Sequence, residues 1–415
     1  MIQATFRGDV TALAPVFDEP ALAKLSQGIK KKLTAEGRYT KDLFWNMYIK
    51  AFSADIDRYM MKGTRTITRE LNTTMLGSGF IITGDGYVVT NAHVINENGN
   101  VTRQSFAQQA FREFMNNDAR EMERSMGRKL TAEETKAITD ANSWYFSQAM
   151  QVGSIRKDFS VVIGVSGNNG NIVPKEVPAK LVVQGSPIPG KDVAILKMEG
   201  ETEFPTARVG EDKDLRVGSQ VYVLGYPAVA TFHPLISGSS VAEATLTRGL
   251  VSAKKKMRGG WEVLQTDASI THGNSGGPVI NEQGEVIGLA TFGSIDQQRG
   301  MEVQGMNFIV PSTILKEYLV KADVKASMST VSLSYEKGLE FFDKAYYRKA
   351  LKHFEKVKQR NSTFPFIDQV IADTEQKIEQ GLDEEPKMVY YIIGAALLLF
   401  VILFLFFRKH KITRR

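Results

Sequence analysis

Three short motifs carry side chains able to do hydrolytic chemistry. His93 lies in Val88-Val89-Thr90-Asn91-Ala92-His93-Val94-Ile95, Asp192 opens Asp192-Val193-Ala194-Ile195-Leu196, and Ser275 sits within Gly273-Asn274-Ser275-Gly276-Gly277-Pro278. Singly, these are a histidine at a strand end, an aspartate in a turn and a glycine-rich loop. Together they supply a base, an orienting carboxylate and a nucleophile. A hydroxyl is inert near neutral pH until a base takes its proton, and histidine has the suitable pKa. The imidazole must in turn be held in one tautomer and stabilised when protonated, which a buried carboxylate achieves. The glycines meet a separate need. A tetrahedral intermediate requires backbone N–H groups aimed at its oxyanion, and side chains must not block their approach. On this reading the donors are the amides of Gly273 and Ser275.

Composition removes competing chemistries. The 415-residue chain has no cysteine, so thiol nucleophiles, disulfide frameworks and Cys-based metal sites are excluded. It has no phosphate-cradling Gly-Lys-Ser/Thr loop and no His-rich metal cluster, so no cofactor and no metal is called for. The net charge of +6 suggests nucleic acid until its location is checked. Five of those charges fall on Arg408, Lys409, Lys411, Arg414 and Arg415, leaving residues 1–407 at +1. A nucleic-acid binder needs a basic face along a folded domain, so that class is dropped.

The elements that must position the motifs are mostly strands. Residues 76–311 consist of short β-type runs separated by glycine-containing turns, the texture of an antiparallel sandwich or barrel. Thr83-Gly84-Asp85-Gly86 between two apolar runs predicts a hairpin. Ile2, Ala4 and Phe6 alternate as a strand beginning at the first residue. Residues 17–72 and 101–152 break the pattern and read as helical. In the second stretch Thr131 and Glu134 fit a capping box, with Ile138, Tyr145 and Met150 following on a buried face. Both stretches are expected to be insertions in the β scaffold, either stabilising it or gating the substrate. Residues 312–320 predict a closing helix.

Taken in order, Thr90-Asn91-Ala92-His93-Val94, Asp192-Val193-Ala194 and Gly273-Asn274-Ser275-Gly276-Gly277-Pro278 resemble the HtrA/Deg branch of trypsin-like serine proteases. Gly77-Ser78-Gly79-Phe80-Ile81, Gln265-Thr266-Asp267-Ala268 and Asn307-Phe308-Ile309-Val310-Pro311 are similar to that family's text as well. The resemblance covers roughly residues 73–320. It implies a mainly β fold of two six-stranded antiparallel barrels with the active site in the cleft between them. It also implies His93 as base, Asp192 as orienting acid and Ser275 as nucleophile. Ser269, six residues before Ser275, is then the residue at the base of the S1 pocket; it brings no carboxylate to pair with a basic P1 side chain. His272 belongs to the loop. Two departures stand out: His93 and Asp192 lie 99 residues apart, stretched by the helical insertion, and no PDZ text follows.

Beyond the protease text, Gly338, Phe341, Ala345, Tyr347, Ala350 and Phe354 follow tetratricopeptide spacing within 332–382, predicting a helix pair that packs on its neighbours or on a helix around Phe366–Gln380 and serves as spacer or partner site. Residues 388–407 are twenty uncharged apolar or aromatic residues, enough for a helix to cross about 30 Å of hydrocarbon. The basic tail 408–415 then places the tail in the cytoplasm and the protease domain outside, in a bacterial cell envelope. The first residues lack a signal-peptide pattern. Two accounts follow: a tail-anchored protein with a cytoplasmic body, or a chain whose leader lies upstream.

The expected organisation is a strand and helical extension at 1–72, a protease domain at 73–320 with its insertion at 101–152, a tetratricopeptide-like segment at 332–382, a transmembrane helix at 388–407 and a basic tail. The expected function is a membrane-anchored serine endopeptidase acting on protein or peptide substrates in quality control or regulated proteolysis. The alternative is a catalytically silent or gated scaffold or tether that binds proteins. A homo-oligomer is left open.

Overall fold

A computed structural model of the chain describes all residues except 97–98, 168–170, 201, 232, 234, 238–240, 297–300, 385–393, 395 and 404–415. The first half is built from β1 (Ile2–Phe17), α1 (Glu19–Ala35), α2 (Lys41–Ala54), α3 (Ile56–Tyr59), β2 (Met60–Gly77), β3 (Phe80–Ile81) and β4 (Tyr87–Thr90), followed by α4 (Ala92–Ile95), α5 (Gly99–Met126) and α6 (Ala132–Ala149). Strands β5 (Met150–Ser166), β6 (Ile172–Gln184) and β7 (Ala194–Met198) complete it. After these come β8 (Gln220–Gly225), α7 (Ala228–Thr231), β9 (Thr245–Lys256), β10 (Glu262–Thr266), β11 (Pro278–Ile280), β12 (Val286–Asp296) and β13 (Met301–Pro311). Helices α8 (Ser312–Lys321), α9 (Thr330–Asp343), α10 (Tyr347–Arg360) and α11 (Ile367–Glu379) follow.

Strands β8 to β13 form a closed barrel in the order β10-β13-β12-β11-β8-β9. Its interior is filled by Val221, Val223, Val251, Leu264, Val279, Ile287 and Ile309. The other seven strands have the order β2-β1-β5-β6-β7-β4-β3 and do not close. This corrects the expectation of two closed barrels. Closure would require β2 to pair with β3, but β3 is 2 residues long against the 18 of β2. Ser78, between them, spends its N–H and hydroxyl on the loop that carries Ser275.

The chain divides into two compact units. One comprises Met1, Gly77–Asn91 and Val161–Arg415; the other comprises Ile2–Leu76 and Ala92–Ser160. Within the first, a core of Phe80, Val89, Ile195, Val263, Leu289 and Leu315 packs β3, β4 and β7 against the barrel and the closing helix α8. Within the second, β1 bears out the alternation read at the first residue, with Ile2, Ala4, Phe6, Val10 and Ala12 all buried. The capping box is present: Glu134 N–H donates to Thr131 Oγ1 at 3.2 Å and Thr131 N–H to Glu134 Oε2 at 2.9 Å. Ile138 and Tyr145 are buried as expected, whereas Met150 starts β5. Residues 60–72, read as helical, form β2 instead. Thr64, Thr66, Ile67 and Thr68 favour a strand, and Lys62, Arg65, Arg69 and Glu70 among them obscure the alternation.

At the other end of the first unit, among the described residues, α9 and α10 are joined by α11, which lies where the sequence around Phe366–Gln380 predicts a further helix. Val331, Ala350, Phe354, Val357, Phe364 and Ile367 make their shared core. They dock on the strand-bearing part of the unit: Thr206 N–H donates to Ser332 Oγ at 2.8 Å, Ser166 Oγ donates to Phe364 O at 2.8 Å, and Arg208 meets Glu336 at 2.6 Å. Among the described residues no helix is long and apolar enough to cross a membrane. Most of the expected span, together with the basic tail, lies outside the described residues. Within it, 396–403 is helical, and Leu397 to Leu403 expose their apolar side chains.

Candidate active site

Asp192 is placed by its own apolar run. Val193, Ala194, Ile195 and Leu196 are completely buried, so β7 is anchored along its length and the aspartate is drawn in at its entrance, 0% exposed. Antiparallel pairing sets Thr90 opposite Ala194, which brings the exit of β4 beside the entry of β7. Asn91 Nδ2 then donates to the Asp192 carbonyl at 2.6 Å. His93 follows two residues later, half-buried in the short helix α4.

Ser275 sits in the loop between β10 and β11. Two backbone bonds clamp this loop to β12: Gly276 N–H donates to Ala290 O at 2.8 Å and Ala290 N–H to Gly277 O at 3.0 Å. That clamp fixes Ser275 next to Thr291, the residue after Ala290. Ser275 Oγ donates to Thr291 O at 2.8 Å, and Thr291 Oγ1 donates to Asp192 Oδ2 at 2.7 Å. One buried threonine therefore joins the nucleophile candidate to the carboxylate candidate, although they stand 83 residues apart in sequence.

The glycines are required by space and by conformation. Gly273 has φ +100°, and a Cβ there would come within 2.2 Å of Tyr226 O. Gly276 has φ +84°, and its Cβ would lie 2.4 Å from both Ser78 O and Thr90 Oγ1. L-residues with a side chain rarely adopt such φ values, so glycine is the residue that fits. Among the described residues, neither the Gly273 nor the Ser275 amide donates to another backbone group.

Ser78 is the strut beneath this loop. Its N–H donates to Ser275 O at 2.8 Å and its hydroxyl to Gly273 O at 2.6 Å, while the same hydroxyl accepts from Tyr226 N–H at 2.9 Å. Thr90 Oγ1 in turn donates to Ser78 O at 2.8 Å. Ser269 is exposed beyond β10, with its carbonyl accepting from Thr247 Oγ1 at 2.9 Å. His272 is exposed on the same loop, and its carbonyl accepts from Ala228 N–H at 2.8 Å.

Sequence reasoning singled out His93, Asp192, Ser275 and Gly273 and gave no role to Thr291 or Ser78. For Thr291 the available signal was a polar residue continuing the buried run of Ile287, Leu289 and Ala290. For Ser78 it was a hydroxyl between two glycines just before a strand.

Residues 77–289 match the family described as "Trypsin-like peptidase domain", a stretch that makes up more than half of the chain. The chain belongs to the trypsin-like peptidase family. The matched stretch contains His93, Asp192 and Ser275. Among curated proteins, this trypsin-like chain is 35% identical over 137 residues to "Serine protease HTRA4" of Mus musculus, covering 31% of this chain and 24% of that protein. It is 34% identical over 159 residues to "Serine protease Do-like HtrA" of Lactobacillus helveticus, covering 36% and 35% respectively. The chain thus spans about a quarter to a third of the length of these relatives. A solved structure described as "HtrA-type protease AlgW with decapeptide" aligns at 20% identity over 62% of this chain and 54% of that one, with a TM-score of 0.35.

Proposed function

We propose that this chain is an HtrA-type serine endopeptidase. Ser275 Oγ attacks the scissile carbonyl while His93 takes its proton, and a C–O bond forms. The amides of Gly273 and Ser275 receive the negative charge that develops on the carbonyl oxygen. Collapse of the intermediate breaks the C–N bond, with the proton passing from His93 to the leaving amine. Water then hydrolyses the acyl-enzyme by the same route. Asp192 orients the imidazole and stabilises it when charged.

The observation that carries this reading is the Thr291 bridge. A buried carboxylate held by a hydroxyl, and a serine held by the adjacent carbonyl, are the two distant parts of a relay kept in register. The bond from Ser275 Oγ to Thr291 O also supports a resting arrangement in which the hydroxyl turns before it attacks. Such a state favours gating as the second reading, with substrate or another signal releasing the serine.

Ser269 supports a preference for uncharged P1 side chains. The exposed apolar helix at 396–403 supports anchoring of the chain through 388–407, and the basic tail supports a protease domain outside the cytoplasm. The tetratricopeptide-like helices, docked through Ser332 and Glu336, act as the spacer between protease and membrane. Regulated proteolysis or quality control of envelope proteins is the role this arrangement fits.

The test is cleavage of an unfolded protein by the full chain in detergent micelles, with the new termini mapped by mass spectrometry. New termini that vanish in Ser275→Ala support the proposal. Identical fragments from wild type and Ser275→Ala would refute it. A profile dominated by Lys or Arg at P1 would overturn the Ser269 assignment alone.

A further inference from the structure

The compact unit formed by Ile2–Leu76 and Ala92–Ser160 carries a half-open cavity of about 320 Å³. That volume lies within the range of sites that hold small organic ligands, ~300–1,000 Å³. Trp45, Tyr48 and Phe52 of α2 give it aromatic walls, and Ile138 of α6 an aliphatic one. The Trp45 and Tyr48 rings meet edge to face with centroids 5.7 Å apart, so their orientations are mutually fixed. Aromatic faces carry negative potential and attract cations.

The charged residues lining the cavity share one sign. They are Glu19 and Glu121, both exposed, and neither is ion-paired among the described residues. Burial first and the Glu19 carboxylate second push the Tyr48 phenol above its ordinary range, in keeping with a carboxylate near that ring. Asn142 supplies an independent observation. It lines the cavity at 6% exposure, a polar side chain among apolar walls. Its amide can hydrogen-bond a polar group of a ligand seated there.

We propose that this cavity is a binding site for an arylalkyl ammonium group, a ring joined through a short chain to a cationic nitrogen. The ring packs among Trp45, Phe52 and Ile138, and the ammonium meets the two carboxylates and the Asn142 amide. An anion would be repelled, and a purely apolar ligand would make no use of the Asn142 amide. Two sources present this chemistry: a free aromatic amine, and the N-terminal aromatic residue of a peptide. The site is additional to peptide hydrolysis and stands without it.

Calorimetric titration of the full chain with phenethylammonium chloride tests the assignment, with phenylacetate as a counterpart of similar shape and opposite charge. Saturable binding of phenethylammonium is expected, at least tenfold tighter than phenylacetate. The exposed carboxylates permit Glu19→Gln with Glu121→Gln as a variant that keeps its fold, and its Kd is expected to rise about tenfold or more. Phe-Gly-Gly amide with a free or acetylated N-terminus separates the sources. Binding of the free form alone, lost in the double variant, supports a peptide ligand, whereas binding of phenethylammonium but neither peptide supports a free amine. Absence of saturable heat at millimolar phenethylammonium, equal binding of phenylacetate, or an unchanged Kd in the double variant would overturn the proposal.

Discussion

The Thr291 hydroxyl donates to Asp192 Oδ2 across 2.7 Å, at a position where both residues are almost wholly buried. A hydrogen bond to a buried charged group is worth ~1.5–3 kcal/mol, so this donor holds the carboxylate's position as well as satisfying it. Thr291→Val removes the hydroxyl while nearly keeping the shape. We expect kcat/KM to fall about 10- to 100-fold, since each ~1.4 kcal/mol is a factor of ten. Thr291→Ser should retain most activity. Steady-state kinetics on a peptide substrate, with a urea midpoint for each variant, separates loss of function from loss of fold.

Gly273 cannot accept a side chain without displacing Tyr226 O, and its positive φ adds backbone strain. Gly273→Ala is therefore expected to misalign the amide assigned to the oxyanion. Losing one such donor lowers kcat by about 10²- to 10³-fold, with a smaller effect on KM. Separate determination of kcat and KM checks this.

Ser78 joins the loop bearing Ser275 to β3 through two hydrogen bonds, one of them through its hydroxyl, which also accepts from Tyr226 N–H beyond β8. In Ser78→Ala the Gly273 carbonyl and the Tyr226 N–H both lose their partner. The expected cost is ~1–3 kcal/mol of stability, together with reduced activity, because the loop bearing Ser275 loosens. Urea unfolding followed by tryptophan fluorescence measures the first effect and peptide hydrolysis the second.

Glu134 gives the helical insertion a pH dependence. Its hydrogen bonds to Arg128 come first, with burial opposing and the Thr131 N–H reinforcing, and they lower its pKa from 4.5 to about 2. Because the folded value lies below the unfolded one, this contribution is complete above pH 4.5 and declines as pH falls towards 2. The side chain is 1% exposed, so solvent screens the pair little. The full effect is on the order of 3 kcal/mol at neutral pH. Glu134→Gln keeps a capping oxygen but removes the charge. Its stability deficit should be largest at pH 7 and shrink towards zero near pH 2, as read from denaturant midpoints across that interval.

Much of the candidate site was legible because its residues lie in contiguous motifs. The buried run after Asp192, the glycines flanking Ser275 and the Thr131–Glu134 capping box each depend on neighbours a few residues away. Thr291 was hidden because its role depends on the clamp between Gly276, Gly277 and Ala290, a pairing between elements rather than a local pattern. Ser78 was hidden for the same reason, since its partners Gly273 and Tyr226 lie well over a hundred residues away. In the fold, β2 escaped recognition because both of its faces expose polar residues, which blurs the period of two. The open seven-stranded sheet follows from the brevity of β3, and no composition reports that.

The most direct test of the central claim is covalent. A fluorophosphonate probe reacts with a serine only where a base and oxyanion donors activate it. Incubated with the full-length chain and followed by peptide mapping, it is predicted to form an adduct on Ser275 that is abolished in Ser275→Ala and at least 10²-fold slower in His93→Ala. Failure of Ser275 to label in the folded wild-type chain, with or without an unfolded protein substrate present, would contradict the account.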